Sequence, residues 1–212
     1  MGIPTYFLGE VDDTTFRARS MVMISIECVA RRISTGSYLQ RNPDADEGEI
    51  FEELILEFFL KDDDRHDPIM IAHIEDGKFD LYDAHQPLCA GVIDTTTFHE
   101  VLFTDDNKWC GGIIEQMLDI TRQVFTTLEV AWATLNVALV DLKIEFGFDI
   151  PGKLYVADVI DNDSWRIWPA GDKTQMKDKQ VYRDAKERDS KQLGAIKKNY
   201  AWVAEQTNGF VA

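Results

Sequence analysis

The chain has 212 residues, 45% hydrophobic and 28% charged, which is the composition of an ordinary globular protein able to bury a core. Its 22 basic and 38 acidic residues leave a net charge of −16, which argues against nucleic acid as a general partner but leaves room for a small phosphorylated ligand held by a local arginine cluster. No apolar run approaches a bilayer span and no basic-then-apolar start suggests a leader, and the three cysteines (Cys28, Cys89, Cys110) lack metal-ligand spacing and point to a reduced, cytoplasmic setting.

The first forty residues read as strands followed by a helix. Thr5–Leu8 and Thr14–Ala18 flank a turn at Gly9–Asp13, and Met21–Ile26 is a further apolar strand. Arg31 and Arg32 precede Thr35-Gly36-Ser37, a turn whose amides and hydroxyls can receive a phosphate. Residues 42–50 are polar and turn-rich, and Ile55–Leu60 is a short strand leading into the charged run Lys61–Pro68. Residues 69–110 mix short apolar pieces with Gly77, Pro87 and Gly91, and read as an insertion, either an elaborated loop or a small β-excursion.

From Gly112 the period changes. Ile113, Ile114, Met117, Leu118, Thr121, Phe125, Leu128, Trp132 and Leu135 recur at three- and four-residue intervals, which predicts a long amphipathic helix over 112–137. A second helix is predicted over 187–206, with Leu193, Ile196, Tyr200 and Val203 as its apolar stripe. Between them, Asp161–Arg183 has loop composition with unusual polar and aromatic content.

The stretch Asp141–Gly147 alternates Leu142, Ile144 and Phe146 with Asp141, Lys143 and Glu145, the period of a half-buried strand. Gly147, Pro151 and Gly152 are read as the turn, after which Leu154, Val156 and Asp158 share a face of a returning strand. Such a hairpin can bring Glu145 and Asp158 together. Two carboxylates and a lysine on one face suit Mg²⁺ and a polyphosphate; they equally suit a solvated sheet face with cross-strand ion pairs. The pattern alone leaves both readings open.

Beyond the hairpin run Asp161-Asn162-Asp163-Ser164-Trp165-Arg166-Ile167-Trp168-Pro169 and Lys177-Asp178-Lys179-Gln180-Val181-Tyr182-Arg183-Asp184. With the hairpin, these motifs resemble SAICAR synthetase, the phosphoribosylaminoimidazole-succinocarboxamide synthase family of purine biosynthesis, and look most like its animal-type form. Ile26–Ser37 resembles the family's substrate-phosphate loop, and Phe59–Asp63 with His66-Asp67-Pro68 its second signature. The motifs stand in the family's order, and the resemblance covers residues 3 to about 68 and about 112 to 205.

The resemblance implies an α+β fold, a single SAICAR synthetase-like catalytic domain over 1–212, with an antiparallel sheet packed by the two long helices and a cleft bearing Asp141, Lys143, Glu145 and Asp158. It implies ATP-dependent ligation of L-aspartate to the carboxylate of carboxyaminoimidazole ribonucleotide through an acyl phosphate. Arg31 and Ser37 would hold the ribonucleotide phosphate, and Arg166 would reach the same nucleotide. Asp141 would accept from ribose hydroxyls, and Lys179 and Arg183 would contact substrate or phosphate. Glu145 and Asp158 would ligate Mg²⁺. Lys143 would sit against nucleotide phosphates, and Lys61 and Asp67 would line the ATP and aspartate side; since the amine must attack in neutral form, a carboxylate such as Asp67 could help accept its proton. Homo-oligomers are expected from the family.

The sequence starts at a point where family members have passed their glycine-rich lobe, so a truncated ATP cradle is expected. Two alternatives accompany the enzyme reading: a relative that binds the ribonucleotide without synthesis, and one half of a split enzyme.

Overall fold

The computed structural model describes residues 2–102, 107–179 and 190–211. The chain divides into two compact units: Met1–Gln123 with Lys143–Asp158, and Val124–Leu142 with Val159–Ala212. The fold is α+β.

The first unit opens with β1 (Phe7–Asp12) and β2 (Thr15–Ala18), an antiparallel hairpin whose turn is tied by the Asp12 carboxylate accepting from the Thr14 amide at 2.9 Å. Next come β3 (Val22–Ile33), α1 (Ser37–Arg41), β4 (Ile50–Leu60), β5 (Ile69–His73), β6 (Lys78–Tyr82), β7 (Asp94–Thr97) and α2 (Phe98–Leu102). Helix α3 (Asn107–Thr134) then leads into β8 (Val137–Phe148) and β9 (Leu154–Ala157). Within this unit the strands lie in the order β8-β3-β4-β5-β6-β7, and β9 folds back on β8.

Two boundaries differ from the sequence reading. Strand β3 continues past Ile26 to Ile33, because Cys28, Val29 and Ala30 are buried and pair with β4 through Phe58, Glu57 and Leu56. Strand β4 begins at Ile50 rather than Ile55, carried by the Ile33–Ile50 pairing. The stretch 69–110 contributes three further antiparallel strands and α2. Its Phe79 packs on Phe58 and Phe98 with ring centroids 6.4 and 4.7 Å apart, so it builds core as well as surface.

Gly147, read as part of the turn, lies inside β8 opposite Tyr155. A side chain there would meet the Val22 carbonyl at 3.0 Å and Met21 Cβ at 3.1 Å, so the close approach of the backbone just before and into β3 demands glycine. The turn proper is Asp149–Gly152, closed by the Gly152 amide donating to the Asp149 carbonyl at 2.8 Å.

In the second unit, β10 (Trp165–Pro169) pairs antiparallel with the Val137–Leu142 part of β8, placing Arg166 opposite Asp141. This corrects the reading of 161–183 as loop. Trp165, Ile167 and Trp168 are buried, and the Asp178 carboxylate accepts the Ile167 amide at 3.0 Å, so the segment is held by side chains from its own polar flank. Helix α4 (Ser190–Thr207) carries Trp202, which stacks on Trp132 of α3 at 6.2 Å and 7°. The predicted helices are thus present at 107–134 and 190–207; residues 187–189 lie outside the described set.

Candidate active site

The acidic and basic side chains of β8 are not a solvated face. Glu145 is 4% exposed and Asp141 is 6% exposed, and buried carboxylates require charge and hydrogen-bond partners. In the first unit those partners are lysines. Lys61, at the end of β4, donates from Nζ to both Glu145 oxygens at 2.7 and 2.8 Å. Lys143 donates to Glu27 Oε1 at 2.6 Å and stands 3.7 Å from Glu145. The hydrogen bond that Lys61 donates to Glu145, with the negative charges of Glu145, Glu27 and Asp158, raises the Lys61 pKa against a partial desolvation penalty. The Lys61 ammonium is therefore held in its charged form.

Asp158 follows the last residue of β9, and Glu145 pairs with Ala157, so regular alternation would turn Asp158 away from Glu145. The strand ends there and Asp158 adopts φ 80°, a left-handed conformation that redirects it. Its charge acts on Lys61 and, after desolvation, is the second cause raising the Tyr6 hydroxyl pKa. Asp158 thus lies within electrostatic range of the Lys61–Glu145 pair.

Asp67 closes the loop after β4. Its Oδ1 accepts the Asp62 amide at 2.8 Å, and both His66 and Asp67 have positive φ, at 59° and 49°. The loop is fixed by its own acidic side chains.

Arg31 and Ser37 are brought together, with Nη2 3.4 Å from Oγ. Arg31 is buried rather than a surface residue, and its Nε donates to Glu57 at 2.5 Å. Arg41, another buried guanidinium, donates to the other Glu57 oxygen. Arg32 instead caps the β4 carbonyls of Phe51 and Glu52, each at 2.9 Å.

In the second unit Arg166 donates to Asp141, with side chains 19% and 9% exposed. Lys179 pairs with Asp163 at 2.6 Å on the surface, and its amide donates to the Asn162 carbonyl. Arg183 lies outside the described residues.

Glu27, Arg41 and Glu57 were missed by the sequence reading. Glu27 carried a usable signal, a charge inside the apolar run Met23–Val29; Arg41 and Glu57 had none, since each is recognised only by its partner. Cys28 is fully buried, and burial pushes its thiol far above the usual range, so it is no nucleophile. Among the described residues no group of three or more His, Cys, Asp or Glu side chains could hold a metal by itself, and no helix is long and apolar enough to cross a membrane.

Comparison with known proteins gives this arrangement its context. The family described as SAICAR synthetase matches residues 1–86 and 102–199, so residues 87–101 alone interrupt the match. The chain is 46% identical over 206 residues to the phosphoribosylaminoimidazole-succinocarboxamide synthase of Chloroflexus aurantiacus, covering 97% of this chain and 71% of that protein. It is also similar to the crystal structure of SAICAR synthetase (Type-1) from Pyrococcus horikoshii, at 27% identity and TM-score 0.70, over 98% of this chain and 74% of that one. A SAICAR synthetase (Type-2) in complex with ADP matches at 28% identity and TM-score 0.65, over 98% and 72% of the two chains. By family match, identity and fold together, the chain belongs to the SAICAR synthetase family.

Proposed function

We propose that the chain is an ATP-dependent ligase that joins L-aspartate to the carboxylate of carboxyaminoimidazole ribonucleotide, in purine biosynthesis, through an acyl phosphate. The observation that carries the reading is the alternating Lys61–Glu145–Lys143–Glu27 network: the Glu145 and Glu27 side chains are 4% and 14% exposed, while those of Lys61 and Lys143 are 52% and 36% exposed. Such a surface presents fixed positive charge to an anionic ligand at no cost of reorganisation. Positioning and charge neutralisation are what phosphoryl transfer asks of a protein.

In this reading Lys61 and Lys143 bind phosphate oxygens of ATP and of the acyl phosphate. Asp67, pinned through Oδ1, offers its second oxygen to take the proton from the aspartate amine, which must attack in neutral form. Arg31 and Ser37 hold the ribonucleotide phosphate, for which the guanidinium fork is suited. In the second unit, the Asp141–Arg166 pair supplies an acceptor and a donor for sugar hydroxyls, and Lys179 is a surface cation available to substrate.

The carboxylates of Glu145 and Asp158 fit Mg²⁺ by donor chemistry. They are hard oxygen ligands, and a nucleotide-borne Mg²⁺ needs only one or two of them beside phosphate and water. Bound there, the ion would offset charge on the transferred phosphoryl group. On the same reading the enzyme is cytoplasmic and homo-oligomeric, with small molecules rather than nucleic acid or membrane as its partners.

The test is a coupled assay on the purified chain with Mg-ATP, L-aspartate and the carboxylated ribonucleotide, following phosphate and amide product. Product formation dependent on all three substrates supports the ligase. Ribonucleotide binding without ATP consumption would leave a binding protein, and activity restored only by a separately supplied nucleotide-binding lobe would mark a split enzyme.

A further inference from the structure

Glu57 sits where two buried arginines converge. Its Oε2 accepts from Arg31 Nε at 2.5 Å and its Oε1 from Arg41 Nη2. The three side chains are 9%, 4% and 2% exposed for Glu57, Arg31 and Arg41. Arg41 is itself fixed: Nη1 donates to the Ala84 carbonyl at 2.9 Å, and the guanidinium lies over the Phe59 ring, 5.3 Å from its centroid. Burial pulls the Arg41 pKa down and Glu57 pushes it back up, so the carboxylate is what keeps this cation tolerable.

Both guanidinium groups are buried charges that share this one carboxylate, and a buried charge is costly to leave without its partner. Geometry adds direction. With Nε committed to Glu57, Arg31 can turn only its terminal nitrogens to an anion, and Nη2 is the one beside Ser37 Oγ, at 3.4 Å. A carboxylate gripped on both oxygens cannot swing, so Arg31 cannot either.

We infer that Glu57 is a positioning residue for the substrate phosphate: backed by Arg41, it holds the Arg31 guanidinium with its Nη2 edge at Ser37, where the ribonucleotide phosphate is received. The inference rests on the phosphate role proposed for Arg31 and Ser37. Glu57 does not touch substrate; it acts through Arg31.

The experiment compares steady-state kinetics of the full chain with those of Glu57→Gln and Arg41→Lys, varying each substrate in turn. Gln keeps the size of Glu57 but must point an amide N–H₂ at one of the two guanidinium donors. Expected for Glu57→Gln is a rise in KM for the ribonucleotide of about tenfold or more, with kcat and the KM values for ATP and aspartate changed by less than about threefold. Arg41→Lys keeps the charge but not the planar fork and is expected to give a smaller, equally selective rise. If Glu57→Gln does not fold, Arg41→Lys decides by the same criterion. A loss confined to kcat, a parallel rise in all three KM values, or no change would overturn the inference. Failure of the underlying reading looks different: an Arg31→Met variant with unchanged ribonucleotide KM would remove the phosphate role itself.

Discussion

Lys61 Nζ grips both oxygens of Glu145, at 2.7 and 2.8 Å, across 84 residues of sequence. The carboxylate is buried while the lysine side chain is half exposed. A looser pairing joins Lys143 to Glu27, 116 residues apart, where the more sheltered acid again holds the more exposed lysine, through one oxygen at 2.6 Å. Glu145→Gln removes the anchor common to both lysines. We expect turnover to fall on the order of 10²–10³-fold, as for loss of a preorganised electrostatic group, measured as phosphate release under saturating substrates. A variant with near-normal turnover would contradict the role given to this network.

Removal of divalent cation separates nucleotide handling from ribonucleotide binding. With Glu145 and Asp158 as the only carboxylates proposed for Mg²⁺, chelation is expected to abolish ATP consumption while calorimetric binding of the ribonucleotide persists, because Arg31 and Ser37 need no metal. Asp158→Asn should raise the Mg²⁺ concentration giving half-maximal rate. Binding of the ribonucleotide that vanishes with the metal would place Mg²⁺ at the wrong substrate.

The alternation of β8 was legible because a two-residue period is written into consecutive residues, and both long helices were legible from their apolar stripes. Burial of Asp141 and Glu145 was not, since it depends on cations supplied by Arg166 and by Lys61. Strand β10 was missed for a related reason: Asp178 and Asn162 give the segment a polar composition, yet both are spent on its own backbone, accepting from the Ile167 amide and donating to the Lys177 carbonyl. Gly147 was read as a turn signal when its smallness serves the approach of Val22. Local periodicity survives in a sequence; partners distant along the chain do not.

Alkaline pH should weaken the first unit through Lys61. Its pKa is raised above the ordinary 10.5, chiefly by the Glu145 hydrogen bond. A folded-state pKa above the unfolded one means the pair's stabilisation is fully present below about pH 10.5 and is lost as pH rises through the folded value. Urea denaturation at pH 8 and pH 11 should therefore show a loss of stability in wild type that is smaller in Lys61→Met. An equal loss in both proteins would show that Lys61 is not the group responsible.

Gly147→Ala places a methyl group against the Val22 carbonyl at 3.0 Å, Met21 Cβ at 3.1 Å and Met23 Sδ at 3.3 Å. Two of these are held by the backbone and cannot retreat as a flexible side-chain end can. Overpacking of this kind costs about 1–3 kcal/mol. Because Glu145 lies two residues away in the same strand, the variant is expected to lose activity as well as stability. A thermal midpoint and turnover both equal to wild type would mean the strands separate without strain.

Trp132 organises the second unit. It is fully buried, with Trp165 edge-on at 5.4 Å, Trp202 stacked at 6.2 Å and Phe210 edge-on at 4.9 Å. Its indole Nε1 and that of Trp165 are buried with no hydrogen-bond partner among the described residues, so the cluster is held by packing rather than polar contacts. Trp132→Ala should cost about 3–5 kcal/mol, the range for emptying a large aromatic site in a core. Trp132→Phe should cost less, because it keeps a ring for Trp202 and Phe210 to pack on and removes an unpaired N–H whose burial is itself unfavourable. Urea denaturation followed by the fluorescence of the remaining tryptophans measures both. Should the Phe variant prove as unstable as the Ala variant, a hidden partner of the Trp132 N–H, and not the ring stack, would be what holds the cluster together.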